Sequence, residues 1–417
     1  MFANMRTISN LQLLMILDSR GFPTIQCYIT DSNNTTFKSC SPSGASTGSR
    51  EAIEIRDNDS QFLGKSVWRA IEKEQIIKEK FYNLPLDGGL EQFKKLDSLL
   101  MELDGTKQKH FLGGNVTTAV SFCLLRAVSN NNVFSLFDTS KNNLPRPMVN
   151  IINGGKHAGN ALQIQEFMIV PASYQMVYKM LDDITTVFHN LKKIISQKYD
   201  SSQTIVGDEG GYAPNINSPE EALDLIMDAI TTSGLKAGED IFIALDCAAS
   251  EYYKDGKYEI LQNQFFSPDE TLQYLKNLCT KYPIISIEDP FDENDFASWK
   301  KITEELGDKI MIVGDDLFTT SPEYCKNNLE EKWANSLLVK VNQIGTVSEA
   351  LDAIHYMRRS GGKIILSHRS GETNDDIITD LGFGIGAEFL KIGAPCRGER
   401  ISKYNRLIEI DMGMYEV

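Results

Sequence analysis

Six short apolar runs in the second half of the chain each end on a charged or catalytic-type side chain, and this pattern narrows the possible folds more than any other feature. Ile241-Phe242-Ile243-Ala244-Leu245 leads into Asp246, and Ile284-Ile285-Ser286-Ile287 leads into Glu288. Ile310-Met311-Ile312-Val313 precedes Gly314-Asp315, and Leu337-Leu338-Val339 precedes Lys340. Ile364-Ile365-Leu366 precedes Ser367-His368-Arg369-Ser370, and Phe389-Leu390 precedes Lys391. Continuous apolar runs of this length indicate strands buried on both faces, which a parallel sheet covered by helices produces. The intervals leave room for one helix each. A string of such units closes into an α/β barrel, TIM-like, with its reactive groups gathered at the C-terminal strand ends. Three carboxylates, two lysines, an arginine and a histidine are then expected at one mouth. Such a mouth suits a divalent metal and an anionic substrate.

Residues 1–140 follow another pattern. Short strands are expected over residues 11–17, 24–29 and 35–40, the first two joined by the turn-forming Asp18-Ser19-Arg20-Gly21-Phe22-Pro23. Helical periodicity follows over 67–81, 90–103 and 115–128, and residues 51–56 also look helical. A meander followed by helices is an α+β arrangement. The polar, proline-containing segment 141–147 marks the boundary, and 141–417 is the expected barrel domain. Runs at 149–152 and 163–170 are separated only by Asn153-Gly154-Gly155-Lys156-His157-Ala158-Gly159-Asn160. That interval is too short for a helical crossover, so the barrel is expected to open with an antiparallel hairpin.

A chain of 417 residues exceeds what one core usually supports, consistent with a small domain and a barrel of roughly 250 residues. The net charge is −15, from 42 basic and 57 acidic residues, and excludes the basic field that nonspecific nucleic-acid binding requires. Residues 11–17 are apolar only briefly before Asp18, so no secretory leader is expected, and no stretch approaches the roughly 18 apolar residues of a membrane span. The seven cysteines are scattered, without paired C-x-x-C spacing, and are expected to be reduced thiols in a cytoplasmic protein.

Asp246, Glu288 and Asp315 are oxygen ligands at successive strand ends, a donor set suited to Mg²⁺. Any one alone is more often a helix cap or a solvated loop acid; three in register are not. Lys340, following a buried strand, is a candidate base, because nearby cations and desolvation both disfavour the ammonium form. Taken alone, it is equally well a lysine paired with a carboxylate. Arg369 offers a planar fork for phosphate, with Ser370 and Lys391 as further donors. Val206-Gly207-Asp208-Glu209-Gly210-Gly211 is too glycine-rich for an ordinary strand end, and its Glu209 is a candidate proton donor. Ser43-Gly44-Ala45-Ser46-Thr47-Gly48 matches no P-loop; it is either a plain loop or a mobile lid whose Ser46 reaches the site.

Together these segments resemble the enolase family over nearly the whole chain. The resemblance rests on Asp18-Ser19-Arg20-Gly21, residues 43–48, Asn153-Gly154-Gly155 with His157, Gln165-Glu166-Phe167-Met168 and residues 206–211. It continues through Asp246-Cys247-Ala248-Ala249-Ser250, Ile287-Glu288-Asp289, Val313-Gly314-Asp315-Asp316, Lys340-Val341-Asn342-Gln343-Ile344-Gly345, residues 367–372 and Lys391. The resemblance implies dehydration of 2-phosphoglycerate to phosphoenolpyruvate, the glycolytic step. It assigns Lys340 as the base at C2 and Glu209 as the acid toward the 3-hydroxyl. It places one Mg²⁺ on Asp246, Glu288 and Asp315, and a second, arriving with substrate, at Ser46. Arg369 and Ser370 would hold phosphate and Lys391 carboxylate, with His157, Gln165, Glu166 and His368 completing the surroundings. A superfamily member acting on a non-phosphorylated acid, or a catalytically silent scaffold, leaves this full set without a purpose. An additional cell-surface location remains compatible with the sequence.

The chain departs from the family pattern at Leu13, Leu14 and Met15, where Ala-Arg-Glu is usual, and at Phe22, Gln26 and Glu409, where an asparagine, an acid and an arginine are usual. These positions fall in segments resembling the family's subunit contact. A homodimer or a ring of dimers is expected, relying less on ion pairs than its relatives. The alternative is that residues 13–15 pack inside the N-terminal sheet.

Overall fold

The computed structural model describes residues 5–44, 48–140, 142–155, 158–172, 174 and 176–414. Ser46 and His157 lie outside the described residues.

The N-terminal part is built on an antiparallel meander of β1 (Ile8–Leu17), β2 (Pro23–Asp31) and β3 (Thr36–Cys40). Asp18 makes the first turn: its Oδ1 accepts the N–H groups of Arg20 and Phe22, both at 2.9 Å. Strand alternation decides the fate of the unusual apolar triplet in β1. Leu13 is buried, Met15 packs against the core, and Leu14 stays 49% exposed. Internal packing therefore accounts for two of the three, and only Leu14 faces outward. Helix Gly114–Ser129, buried on nearly every side, covers the sheet, and helix Gly89–Asp104 packs against that helix. The helical stretch expected over 67–81 is split into Trp68–Ile71 and Glu74–Phe81.

Residues 51–56 are not helical. Their backbone is claimed by tertiary partners instead: Ala52 N–H donates to Gln343 O at 2.7 Å, Ile53 N–H to Gln108 O at 2.8 Å, and Ile53 O accepts Gly114 N–H at 2.7 Å. A segment that spends its peptide groups on three neighbours cannot close i→i−4 bonds.

The second part is an eight-stranded closed barrel. Its strands are β4 (Arg146–Asn153), β5 (Glu166–Pro171), β6 (Ile241–Asp246), β10 (Ile284–Glu288), β11 (Met311–Gly314), β12 (Ser336–Val339), β13 (Lys363–Ser367) and β14 (Phe389–Lys391). Between β6 and β10 lies a small antiparallel sheet of β7 (Tyr253–Lys254), β8 (Lys257–Leu261) and β9 (Gln264–Phe266), which the simple alternation of strand and helix did not anticipate. Its signal was in the sequence: Asp255-Gly256 is a two-residue hairpin loop with both φ positive, 51° and 78°.

The expected opening hairpin is present. β5 pairs antiparallel with both β4 and β6, and all other barrel pairs are parallel. Reversal of one strand has a consequence for the site. The first residue of β5, Glu166, lies opposite Asp246, the last residue of β6. An antiparallel strand delivers its start to the mouth where its neighbours deliver their ends. Met148, Met168, Val170, Ala244, Val313, Leu338, Ile365 and Phe389 fill the barrel below.

Candidate active site

Asp246, Glu288 and Lys391 are the terminal residues of β6, β10 and β14; Asp315 and Lys340 follow β11 and β12 directly, and His368 follows β13. Gln165, Glu166, Glu209, Asp246, Asp315, Lys340, His368, Arg369, Ser370 and Lys391 line one cavity at this mouth. Its free space is about 30 Å³, room for no more than a couple of waters.

The cavity is tight because its own cations fill it. The Lys391 ammonium donates to Asp246 Oδ2 at 2.8 Å and to Glu288 Oε1 and Oε2 at 2.8 and 2.9 Å, with Glu166 Oε2 at 3.4 Å. Lys340 is paired with Asp315 Oδ2, whose other oxygen accepts Gln343 Nε2 at 2.8 Å. Arg369 is likewise engaged, donating to Glu51 Oε2 at 3.0 Å and to Asn342 Oδ1 at 2.9 Å. Glu51 was not singled out from the sequence; it belongs to the non-helical segment that crosses from the N-terminal part to the barrel mouth.

These pairings set the protonation states. Burial acts to lower the Lys340 pKa, but Asp315 beside it overrides burial and holds the ammonium above the usual lysine range. In this arrangement, with Asp315 as its partner, Lys340 keeps its proton. Burial, then Asp246, pushes the Glu288 carboxyl well up, and Asp315 adds in the same sense, while Lys391 and Lys340 oppose. Burial, then Glu209, likewise raises Glu166, which also hydrogen-bonds Glu209. Two carboxyls in such contact favour holding a proton between them. Glu209 Oε2 further accepts Asn150 Nδ2 at 3.2 Å and lies 3.5 Å from His368 Nε2. Burial drives the His368 pKa down to about 3, with Arg400 acting in the same direction.

The donor chemistry fits a hard divalent cation. Asp246, Glu288 and Asp315 are buried carboxylates whose mutual repulsion is countered here by lysine ammonium groups. The tightest acidic grouping among the described residues is a different one, Asp289, Asp315 and Asp316, with ligand atoms within 4.8 Å of one another. Both Asp289 oxygens, however, accept backbone N–H groups, from Asp315 and Asp316, each at 2.9 Å. Asp289 therefore acts as a tie between strand ends, and Asp246, Glu288 and Asp315 form a second candidate set that shares Asp315 with that grouping.

The segments flanking 45–47 are anchored. Ser43 and Gly371 exchange backbone hydrogen bonds of 2.8 and 2.9 Å, and Ser49 Oγ donates to Glu293 Oε1 at 2.7 Å. Gly371 admits this approach because a Cβ there would stand 2.5 Å from Asp18 Oδ2 and 2.8 Å from Ser43 O. Ser19 N–H donates to Glu372 O at 2.7 Å, so the first turn of the chain docks on the segment that carries His368 and Arg369. A larger groove of about 690 Å³ runs between β1–β3 and residues 372–376, lined by Gln26, Lys38, Arg126 and Glu409 among others. It brings together two of the positions where the sequence is unusual.

Comparison with protein families gives two matches. Residues 8–139 match the enolase N-terminal domain, and residues 141–416 match the enolase C-terminal TIM barrel domain. Among the described residues, no helix is long and apolar enough to cross a membrane.

Proposed function

Because the chain belongs to the enolase family, we propose that it is the hydro-lyase that interconverts 2-phosphoglycerate and phosphoenolpyruvate. The observation that supports this reading best is that Lys340 and Glu209 line one cavity with separate sets of partners. Lys340 is paired with Asp315, Glu209 meets Glu166 and His368, and Asp246 and Asp315 line the same cavity, with Glu288 joined to them through Lys391. A β-elimination needs a base and an acid at separate atoms, with charge stabilisation at a third place.

In the forward direction Lys340 Nζ takes the C2 proton, and the electron pair left at C2 delocalises into the carboxylate. That pair then forms the C2=C3 bond as the 3-hydroxyl leaves, protonated from the Glu209 side, as water. Arg369 and Ser370 orient the phosphate, and Lys391 meets the carboxylate. Binding requires Arg369 and Lys391 to exchange their present partners, Glu51 and the Asp246–Glu288 pair, for substrate oxygens. Mg²⁺ held by Asp246, Glu288 and Asp315 would neutralise these acids, draw Asp315 away from Lys340 and stabilise the doubly negative carboxyl group of the intermediate. A second ion at Ser46, and a role for His157, are part of the proposal from family resemblance. The seven free thiols suit a reducing compartment, and a cytosolic location in glycolysis is included.

The test is direct turnover. Purified protein should form phosphoenolpyruvate from 2-phosphoglycerate with Mg²⁺ and lose that activity on thorough chelation. Lys340→Ala should abolish exchange of the C2 proton with solvent deuterium, whereas Glu209→Gln should block net dehydration but leave exchange measurable. Absence of turnover with metal supplied overturns the function, and equal loss of exchange in both variants overturns the separate roles.

A further inference from the structure

Arg400 is fully buried in the helix Gly398–Asp411, and its guanidinium is spent on the active-site walls. Nη1 lies 2.5 Å from His368 Nδ1 and donates to Arg369 O at 2.7 Å; Nη2 donates to Ser370 O at 2.9 Å and to Asp208 O at 3.2 Å. Its ion pair with Glu399 is long, 3.7 Å from Nε. The fork thus joins the segment bearing His368, Arg369 and Ser370 to the loop bearing Glu209. Gly393 closes the same junction at φ +79°: a Cβ there would lie 2.7 Å from Glu209 O and 3.0 Å from both Arg400 Cδ and His368 Cε1. The junction has no spare room.

A guanidinium has donors only and does not deprotonate in proteins. The ring nitrogen facing it must therefore be the acceptor. We propose that Arg400 is a positioning residue that fixes His368 as the neutral tautomer with its proton on Nε2, turned toward Glu209. His368 Nε2 is buried and makes no other hydrogen bond among the described residues, and Glu209 Oε2 stands 3.5 Å away. In the free protein this contact is too long for a good hydrogen bond. The tautomer makes His368 a donor aimed at the acid side of the mouth, where it steadies Glu209 and the oxygen that departs. It cannot serve as a general base there. The low basicity that burial and the Arg400 charge impose on His368 is consistent with that assignment. The tautomer stands on geometry alone, while its catalytic consequence rests on the dehydration proposed above.

Selectively ¹⁵N-labelled histidine reads the tautomer directly, with His368→Gln assigning the signal among the five histidines. At neutral pH, His368 in the unmutated protein should show a protonated Nε2 and an unprotonated Nδ1. The opposite tautomer, or an imidazolium, overturns the proposal without any substitution at Arg400. Arg400→Gln should mix the tautomers and cut dehydration by roughly 10²-fold, while C2 exchange stays within about tenfold of the parent. Arg400→Lys, which keeps one donor, should recover part of the dehydration rate. Equal losses of exchange and dehydration in a folded Arg400→Gln protein mean that Arg400 only holds the loops together, and refute positioning. Where the parent itself shows no turnover of 2-phosphoglycerate, the function fails while the tautomer measurement still decides this inference.

Discussion

Lys391→Met removes the ammonium that lies between Asp246 and Glu288 and beside Glu166, all of them buried. At the observed 2.8 Å separations, with an effective dielectric of about 20, each unit-charge pair is worth about 6 kcal/mol before desolvation. Breaking a buried pair on one side typically leaves a net loss of about 3–5 kcal/mol, because the remaining charge stays buried. The loss has a pH signature. Glu288 already has a raised folded pKa, and removing Lys391 raises it further. An acid with a raised folded pKa favours the fold at low pH, and that contribution disappears as pH climbs from the unfolded carboxylate range, about 4, through the folded value. Chelated Lys391→Met should thus be close to the parent at acid pH, where Glu288 and Glu166 carry protons, and fall to the full deficit on the alkaline side. Mg²⁺ should restore more stability to the variant than to the parent, since no ammonium competes; saturation at 100 Kd gives about 2.7 kcal/mol. Thermal midpoints with and without chelator at both pH values measure all three effects. Parent-like stability at the alkaline pH in chelator would show that Lys391 does not offset the buried acids.

Glu288→Gln should lower calorimetric Mg²⁺ affinity and turnover by far more than it lowers apo stability, which should hold or rise, because one repelling charge is gone; unchanged affinity makes Glu288 a structural acid. Asp97, buried and pushed up to about 6 chiefly by burial, accepts Ser348 N–H at 2.8 Å. Its raised pKa favours the fold below about pH 4 and withdraws that support by about pH 6, a change on the order of 3 kcal/mol. Asp97→Asn, which keeps the acceptor, should flatten the stability profile across that interval, and an unaltered profile refutes the assignment. We also propose a homodimer or ring of dimers that uses the groove lined by Gln26 and Glu409, with Leu14 and Leu17, 49% and 56% exposed, adding apolar area. Sedimentation should show a dimer that persists as salt rises, since buried apolar area is not screened; a monomer at micromolar concentration, or salt-driven dissociation, counts against it.

The barrel was legible because strands buried on both faces leave an unbroken apolar run, and the first polar residue after each run is carried to the mouth by strand direction alone. Asp246, Glu288, Asp315, Lys340, His368 and Lys391 could therefore be placed from local sequence. The opening hairpin was legible from the short interval between its strands, and it explains how Glu166, at the start of a strand, joins residues at the ends of others. The β7–β9 sheet was passed over although Asp255-Gly256 announced its turn. Residues 51–56 look helical in isolation, and only the competing demand of Gln343, Gln108 and Gly114 for their peptide groups makes them extended. The same limit hid the pairings that set protonation. Glu51 with Arg369, Lys391 among the acids, Asp289 on two backbone amides and Arg400 on His368 join segments remote in sequence. Local sequence thus determined which chemical groups reach the mouth, because strand direction is a short-range property. Which cation faces which acid, and where each proton sits, was decided only by the folded structure, because charge interactions depend on distance through space and on burial, neither of which the order of residues specifies.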